Sequence, residues 1–107
     1  MPGIDVPTTD VAALLDPIPD ALTVLDVREL HEWTAGHIAG AVHIPLGDLP
    51  DRVGELDPQA RTVVFCHVGG RSARATAWLQ AQGHDATNVD GGMDAWEAAG
   101  RPIITGT

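Results

Sequence analysis

The sequence of 107 residues has no lysine or tyrosine, and it has a single cysteine, Cys66. One cysteine excludes an internal disulfide and a zinc site built on cysteine pairs. No apolar run approaches the roughly 18 residues that a membrane-spanning helix requires. The first ten residues also lack the basic and apolar segments of a secretion signal. We therefore expect a soluble, cytoplasmic protein that has no membrane partner.

Acidic residues outnumber basic ones by 15 to 6, which gives a formal net charge of −9. This balance argues against nucleic acid as a partner, because nucleic-acid binding needs a basic surface. Length and a hydrophobic fraction of 44% fit one globular domain spanning 1–107. All basic residues are arginine, and two of them, Arg71 and Arg74, closely follow Cys66. This local positive charge indicates a small anionic ligand.

Apolar runs of strand length alternate with segments of helical periodicity. We predict strands at 22–27, 42–44, 62–66 and 86–89, and helical segments at 28–33, 46–56, 72–83 and 93–100. A further short helix is expected from Val11 to near Pro17, capped by Thr8, Thr9 or Asp10. The predicted fold is α/β, with a small parallel sheet of four or five strands flanked by helices on both faces. The active-site loop should lie between a central strand and the helix that follows it.

The segment CHVGGRS, residues 66–72, is where the chain combines a nucleophile, glycines and a cation. Gly69 and Gly70 permit positive φ, so that successive amides can face a bound anion. The next helix contributes the positive end of its dipole, and Arg71 contributes a full charge. These surroundings favour a reactive thiolate at Cys66. A buried and inert cysteine is the alternative interpretation.

Three segments resemble the signature of the rhodanese family of sulfurtransferases. They are DVRELHEWTAGHIAGAVHIP at 26–45, CHVGGRS at 66–72 and NVDGGMDAWEAAGRPI at 88–103. The resemblance implies a rhodanese-like domain in which Cys66 is the catalytic nucleophile and carries a persulfide. The expected substrate-binding residues form the rest of the loop: His67, Val68, Gly69, Gly70, Arg71 and Ser72.

The same resemblance implies a small anionic sulfur donor, such as thiosulfate or a persulfide, and a thiol, cyanide or protein acceptor, with no cofactor. Two alternatives stay open: a persulfide relay or binding module, and a cysteine-based phosphatase or arsenate reductase. Four residues separate Cys66 from Arg71, whereas those phosphatases use a loop one residue longer. His67 occupies a position where many active relatives have Arg or Lys, which weakens the expectation that thiosulfate is the physiological donor.

Several polar residues outside the loop also have predicted roles. Asp26 and Arg28 are expected at the same rim as Cys66, either touching the substrate or forming an ion pair that orients the loop. Glu29, His31 and Glu32 are interpreted as a solvated helix face. The histidines have no spacing typical of a metal site, so no metal is predicted. The oligomeric state, a monomer or a weak homodimer, stays undetermined.

Overall fold

The computed structural model describes residues 5–107, and within this range five parallel strands form one sheet in the order β1-β5-β4-β2-β3. The strands are β1 (Thr8–Asp10), β2 (Thr23–Asp26), β3 (Val42–His43), β4 (Thr62–Phe65) and β5 (Ala86–Asp90). The helices are α1 (Leu30–Ala35), α2 (Leu49–Arg52), α3 (Gly70–Ala81) and α4 (Gly92–Ala98). Residues 1–4, part of the segment considered for a secretion signal, lie outside the described residues. None of the helices in the described range is long and apolar enough to cross a membrane.

Strand β4 lies at the centre of the sheet, and all four of its residues are buried. Its side chains alternate between two apolar clusters, because successive residues of a strand point to opposite faces. Val64 packs with Leu79 of α3 and Leu49 of α2 on one face. Phe65 packs on the other face against α4, with its ring edge-on to Trp96. The prediction of a parallel sheet of four or five strands with helices on both faces is therefore confirmed, and the sheet has five strands.

The short helix predicted from Val11 to near Pro17 is wrong in its length, whereas its cap, Asp10, is among the three predicted residues Thr8, Thr9 and Asp10. These three residues form β1, which pairs in parallel with the end of β5. Only one 3-10 turn, Val11–Ala13, follows, and the Asp10 side chain caps it by accepting a hydrogen bond from the Ala13 amide at 2.9 Å. A helix this short is unstable by itself, whereas the open edge of β5 supplies backbone hydrogen bonds and suits β-branched threonine.

Two other predicted segments change their boundaries. The helix predicted from residue 72 begins at Gly70, so Ser72 is its third residue and not its cap. The segment predicted as helical over 46–56 contains the four-residue helix α2 between two 3-10 turns. Short 3-10 turns are common connectors at helix ends. The earlier start of α3 places its first turn immediately beside the loop that follows β4.

Candidate active site

Cys66 directly follows β4, at the carboxyl edge of the sheet, where parallel folds place their ligands. The residue is only 1% exposed, and its Sγ accepts a hydrogen bond from the Gly69 amide at 3.0 Å. Cys66 forms the floor of a pocket of about 420 Å³, which is also lined by Val68, Gly70, Arg71 and Arg74. Cys66 is therefore recessed, and it contributes to the lining of this open pocket.

The orientation of the loop is set by α4. The carbonyls of residues 66–68 accept hydrogen bonds from the amides of Met93, Asp94 and Gly91 at 2.8, 3.0 and 3.0 Å, respectively. The carbonyl and the amide of one trans peptide unit point in opposite directions. Because these carbonyls point towards α4, the N–H groups of the same peptide units point away from α4. The unit that joins Val68 to Gly69 shows this directly, since its oxygen binds Gly91 and its N–H donates to the Cys66 sulfur.

Two glycines make this arrangement possible. Gly69 has a φ of +128°, which few other residues adopt, and it immediately precedes α3. Gly92 has a φ of +49°, and a Cβ atom there would lie 2.3 Å from the Cys66 carbonyl oxygen. A side chain at position 92 would thus separate α4 from the loop. The role of the Gly91-Gly92 pair was not inferred from the sequence, although paired glycines before a helix are a signal of close backbone approach.

The amino terminus of α3 faces the same pocket, because Gly70 and Arg71 belong both to its first turn and to the pocket lining. The first amides of a helix have no partner within the helix, and the helix dipole makes this end positive. The amides and the dipole together favour an anion above Cys66. This geometry supports the anion-binding loop inferred from the sequence, which stays a prediction.

Arg71 borders the pocket, but its guanidinium is held by Glu32 of α1. The two terminal nitrogens donate to the Glu32 carboxylate oxygens at 2.6 and 2.9 Å. These hydrogen bonds lower the pKa of Glu32 to about 2, against an opposing effect of burial, and they raise the pKa of Arg71. The interpretation of Glu32 as part of a solvated face is wrong: this carboxylate connects α1 to the start of α3.

Arg74 lies one helical turn after Arg71, and its side chain is exposed at the pocket mouth. The sequence drew attention to this cation because it closely follows Cys66, but it was not among the expected site residues. Val68 is 58% exposed and forms an apolar lip of the pocket. The His67 ring lies outside the pocket lining, and its Nε2 is 3.9 Å from Asp94 Oδ1.

Ser72 lies beneath the sulfur and is fully buried. Its Oγ is 3.2 Å from the Cys66 Sγ and 2.5 Å from Oδ1 of Asn88, a residue of β5. Asn88 is 6% exposed. Sequence reasoning missed its contact with the site; the available signal was a carboxamide within a strand otherwise expected to be apolar.

Asp26 and Arg28 form a buried ion pair at the end of β2, with 2.8 Å between Nη2 and Oδ2. Arg28 also donates to the Gly36 carbonyl at 2.8 Å, which connects the pair to the end of α1. Neither residue lines the pocket above Cys66.

Within residues 5–107, no group of three or more histidine, cysteine or acidic side chains is placed to hold a metal ion.

A comparison with protein families matches residues 9–99 to the rhodanese-like domain. The chain therefore belongs to the rhodanese-like family, and the resemblance found in the sequence is confirmed. Among its relatives, the Bacillus subtilis protein YtwF is 38% identical over 101 residues, covering 92% of this chain and 98% of that protein. The thiosulfate sulfurtransferase GlpE of Pseudomonas putida is 38% identical over 80 residues, covering 74% of this chain and 73% of that protein.

Solved structures give the same result. The crystal structure of a rhodanese-related protein from Thermoplasma volcanium superposes with a TM-score of 0.87 at 34% sequence identity. The match covers 94% of this chain and 99% of that chain. The five-stranded sheet and its flanking helices are thus the rhodanese-like fold.

The close approach of Gly92 to the loop leads to a first prediction. Alanine at position 92 or at position 100 adopts a positive φ, which costs about 1–2 kcal/mol in either case. Only at position 92 does the new Cβ meet a backbone atom. We expect Gly92→Ala to lower the free energy of unfolding by at least about 2 kcal/mol more than Gly100→Ala, as measured by urea denaturation. Equal urea midpoints for the two variants would show that α4 does not constrain the loop.

The ion pair between Glu32 and Arg71 leads to a second prediction, on pH. The pKa of Glu32 in the folded state is about 2, below its ordinary value of 4.5, so the pair contributes stability that is present above pH 4.5. That contribution, up to about 3 kcal/mol, is lost as pH falls from about 4.5 towards 2. Glu32→Gln should therefore be less stable than the wild type at pH 7. The difference in the free energy of unfolding between the two proteins should narrow as the pH falls from about 4.5 towards 2.

Glu55→Gln is the matched control, because Glu55 also pairs with an arginine, Arg52, but both side chains are well exposed. Its effect on stability should be much smaller than that of Glu32→Gln. Thermal unfolding of the three proteins between pH 2 and pH 7 measures both effects. A constant difference between wild type and Glu32→Gln across this range would contradict the prediction.

Proposed function

We propose that this protein is a sulfurtransferase in which Cys66 accepts a sulfane sulfur from a donor and passes it to an external acceptor. The observation that carries this proposal is the position of the Cys66 Sγ at the floor of an open pocket, hydrogen-bonded to the Gly69 amide. Membership of the rhodanese-like family supports it. No cofactor enters the proposed steps.

In the first step, the Cys66 thiolate attacks the outer sulfur of the donor. With thiosulfate, the new S–S bond forms as the old one breaks, and sulfite leaves with the bonding electron pair. In the second step, a thiolate or cyanide attacks the terminal sulfur of the persulfide, and Cys66 leaves as a thiolate. The covalent intermediate divides one transfer into two displacements. Because the chain has one cysteine, the acceptor must come from outside it.

The recessed position of Cys66 suits this chemistry. A second sulfur bonded at about 2.05 Å extends from the floor into the pocket. There it meets the first-turn amides of α3, whose positive dipole end favours an anionic persulfide. Exposed Arg74 adds a positive charge at the mouth, where an anionic donor enters. The amides, the helix dipole and Arg74 thus act on the donor as well as on the intermediate.

The proposed donors are small anions that carry a sulfane sulfur, with thiosulfate and low-molecular-weight persulfides as the candidates. The relative GlpE, named as a thiosulfate sulfurtransferase, supports thiosulfate. His67 instead of Arg or Lys supports a persulfide, because Arg and Lys carry a permanent positive charge that attracts a dianion and a histidine side chain does not. The proposed acceptors are a thiol, cyanide or a cysteine of a partner protein.

Two observations argue against the phosphatase alternative. The loop between Cys66 and Arg71 has four residues, one fewer than cysteine-based phosphatases use. In addition, both terminal nitrogens of Arg71 are bound to Glu32 and not free to grip a phosphate ester. A fork of arginine donors is what makes bidentate phosphate recognition strong.

Removal of the nucleophile tests the proposal. Cys66→Ala should lose sulfur transfer by at least about a thousand-fold, since no covalent intermediate can form. Wild-type protein treated with thiosulfate or a persulfide should gain the mass of one sulfur atom by intact-mass spectrometry, and Cys66→Ala should gain none. Circular dichroism of the variant controls for folding.

The same assay separates the alternatives. Turnover with a small-molecule acceptor supports an enzyme, whereas a stable persulfide released only to a partner protein indicates a relay. Hydrolysis of phosphate esters without any sulfur transfer, or an unmodified Cys66 after every donor, would overturn the proposal.

Arg74 provides a test of donor recognition. Arg74→Gln should raise the KM for thiosulfate by about three- to tenfold at low salt, because a charge at the pocket mouth attracts the dianion. Arg61→Gln is the matched control, since it removes the same charge from an exposed arginine just before β4, at the opposite edge of the sheet. Steady-state kinetics at two ionic strengths measure both variants. Equal KM changes for the two would show that only net charge matters.

A further inference from the structure

The Ser72 hydroxyl has one hydrogen and three acceptors within reach. Its Oγ lies 3.2 Å from the Cys66 Sγ, 3.1 Å from the Gly69 carbonyl and 2.5 Å from Asn88 Oδ1. A hydroxyl donates one hydrogen bond and accepts others. Where that hydrogen points therefore determines whether Ser72 can donate to the sulfur. The shortest of the three contacts is the one to Asn88.

In the arrangement that the structure shows, the Asn88 carboxamide presents its oxygen to Ser72. The Ser72 hydrogen is then used by Asn88, and the Cys66 thiol can donate its own hydrogen to Ser72 Oγ. The side chains of Cys66, Ser72 and Asn88 each have a hydrogen-bond partner in this arrangement while Cys66 is protonated. A thiolate in this arrangement would lack the Ser72 donor and keep only the Gly69 amide.

A half-turn of the carboxamide about its last side-chain bond exchanges Oδ1 with Nδ2 at nearly unchanged shape. Nδ2 then donates to Ser72 Oγ, and the Ser72 hydrogen is available to the sulfur, because the Gly69 carbonyl already accepts a hydrogen bond from the Ala73 amide at 3.0 Å. This second arrangement suits a thiolate, because a hydrogen bond to the charged form stabilises it. Aligned hydrogen bonds also strengthen one another in a buried site, and Ser72 and Asn88 are both buried.

We propose that Asn88 is a positioning residue that acts through Ser72, and that its carboxamide reverses the hydrogen-bond chain when Cys66 changes between thiol and thiolate. The purpose of this reversal rests on the proposed function, since Cys66 must be a thiolate both when it attacks the donor and when it leaves the persulfide. On ionisation the thiol proton goes to solvent, and the chain changes direction without gaining or losing hydrogen. Only an amide side chain offers a donor and an acceptor of equal shape here.

Asn88→Asp tests this proposal, because a carboxylate has nearly the same shape but only accepts hydrogen bonds. The carboxylate always accepts the Ser72 hydrogen bond, and it adds a negative charge near the thiolate, which has the same sign. The rate of Cys66 alkylation by iodoacetamide, measured from pH 5 to pH 10, gives the pH of half-maximal reactivity. We expect Asn88→Asp to raise this midpoint by at least about one pH unit. At a pH below the midpoint, a rise of one unit corresponds to a tenfold slower alkylation of Cys66. Ser72→Ala should also raise the midpoint.

The double variant separates the hydrogen-bond chain from simple charge repulsion. In the Ser72→Ala background, the effect of Asn88→Asp should be smaller by at least about half a pH unit, because the hydroxyl that connects the two groups is gone. Thr76→Val is the control, since Thr76 Oγ1 is a buried hydroxyl that contacts the Ser72 backbone but not its side chain. It should leave the midpoint unchanged.

An unchanged midpoint in either single variant, or an equal effect of Asn88→Asp in both backgrounds, would overturn the proposal. Circular dichroism identifies a variant that does not fold, and the remaining single variant and the control then decide the result. Alkylation needs no sulfur donor, so the outcome is independent of whether the protein transfers sulfur. Absence of sulfur transfer with the expected alkylation profiles would refute the proposed function alone.

Discussion

The contact between α4 and the backbone after β4 determines the chemistry of Cys66. Three consecutive carbonyls, of residues 66–68, are bound by amides at the start of α4, and this leaves the opposite side of the same peptide units for the sulfur. The contact needs a glycine at position 92, because no side chain fits between the helix and the loop. Preorganised amides of this kind stabilise an anion without any rearrangement when the charge appears. The site thus depends on backbone packing more than on any single polar side chain.

This arrangement explains how a strongly acidic chain can hold an anion. The net charge of −9 is unfavourable for binding anions. Backbone amides and a helix dipole act only at short range, so they create a positive site without changing the overall charge. Arg71 contributes less charge than its position indicates, because Glu32 neutralises it while connecting α1 to α3. Arg74, in contrast, is exposed at the mouth of the pocket.

Local patterns in the sequence were sufficient to predict the parallel sheet and the place of Cys66. Short apolar runs between helical segments leave few alternatives, and a cysteine after the central strand must lie at the carboxyl edge. Contacts between distant segments were not predictable in this way. Glu32 was taken as solvated because its partner Arg71 is 39 residues away. The strand β1 was missed because its formation depends on the edge of β5, and Asn88 was missed because a pattern does not show which buried side chains meet beneath the sulfur.

The order of these segments along the chain has a consequence for biosynthesis. Cys66 leaves the ribosome well before the residues of α4 that shape its surroundings, and β5, which carries Asn88, also follows it. A nascent chain therefore exposes an ordinary thiol, without the amides, the serine contact or the closed pocket. The surroundings that we propose to activate the sulfur are complete only when the last third of the polypeptide has docked. Truncated products of translation would consequently carry the cysteine without these surroundings.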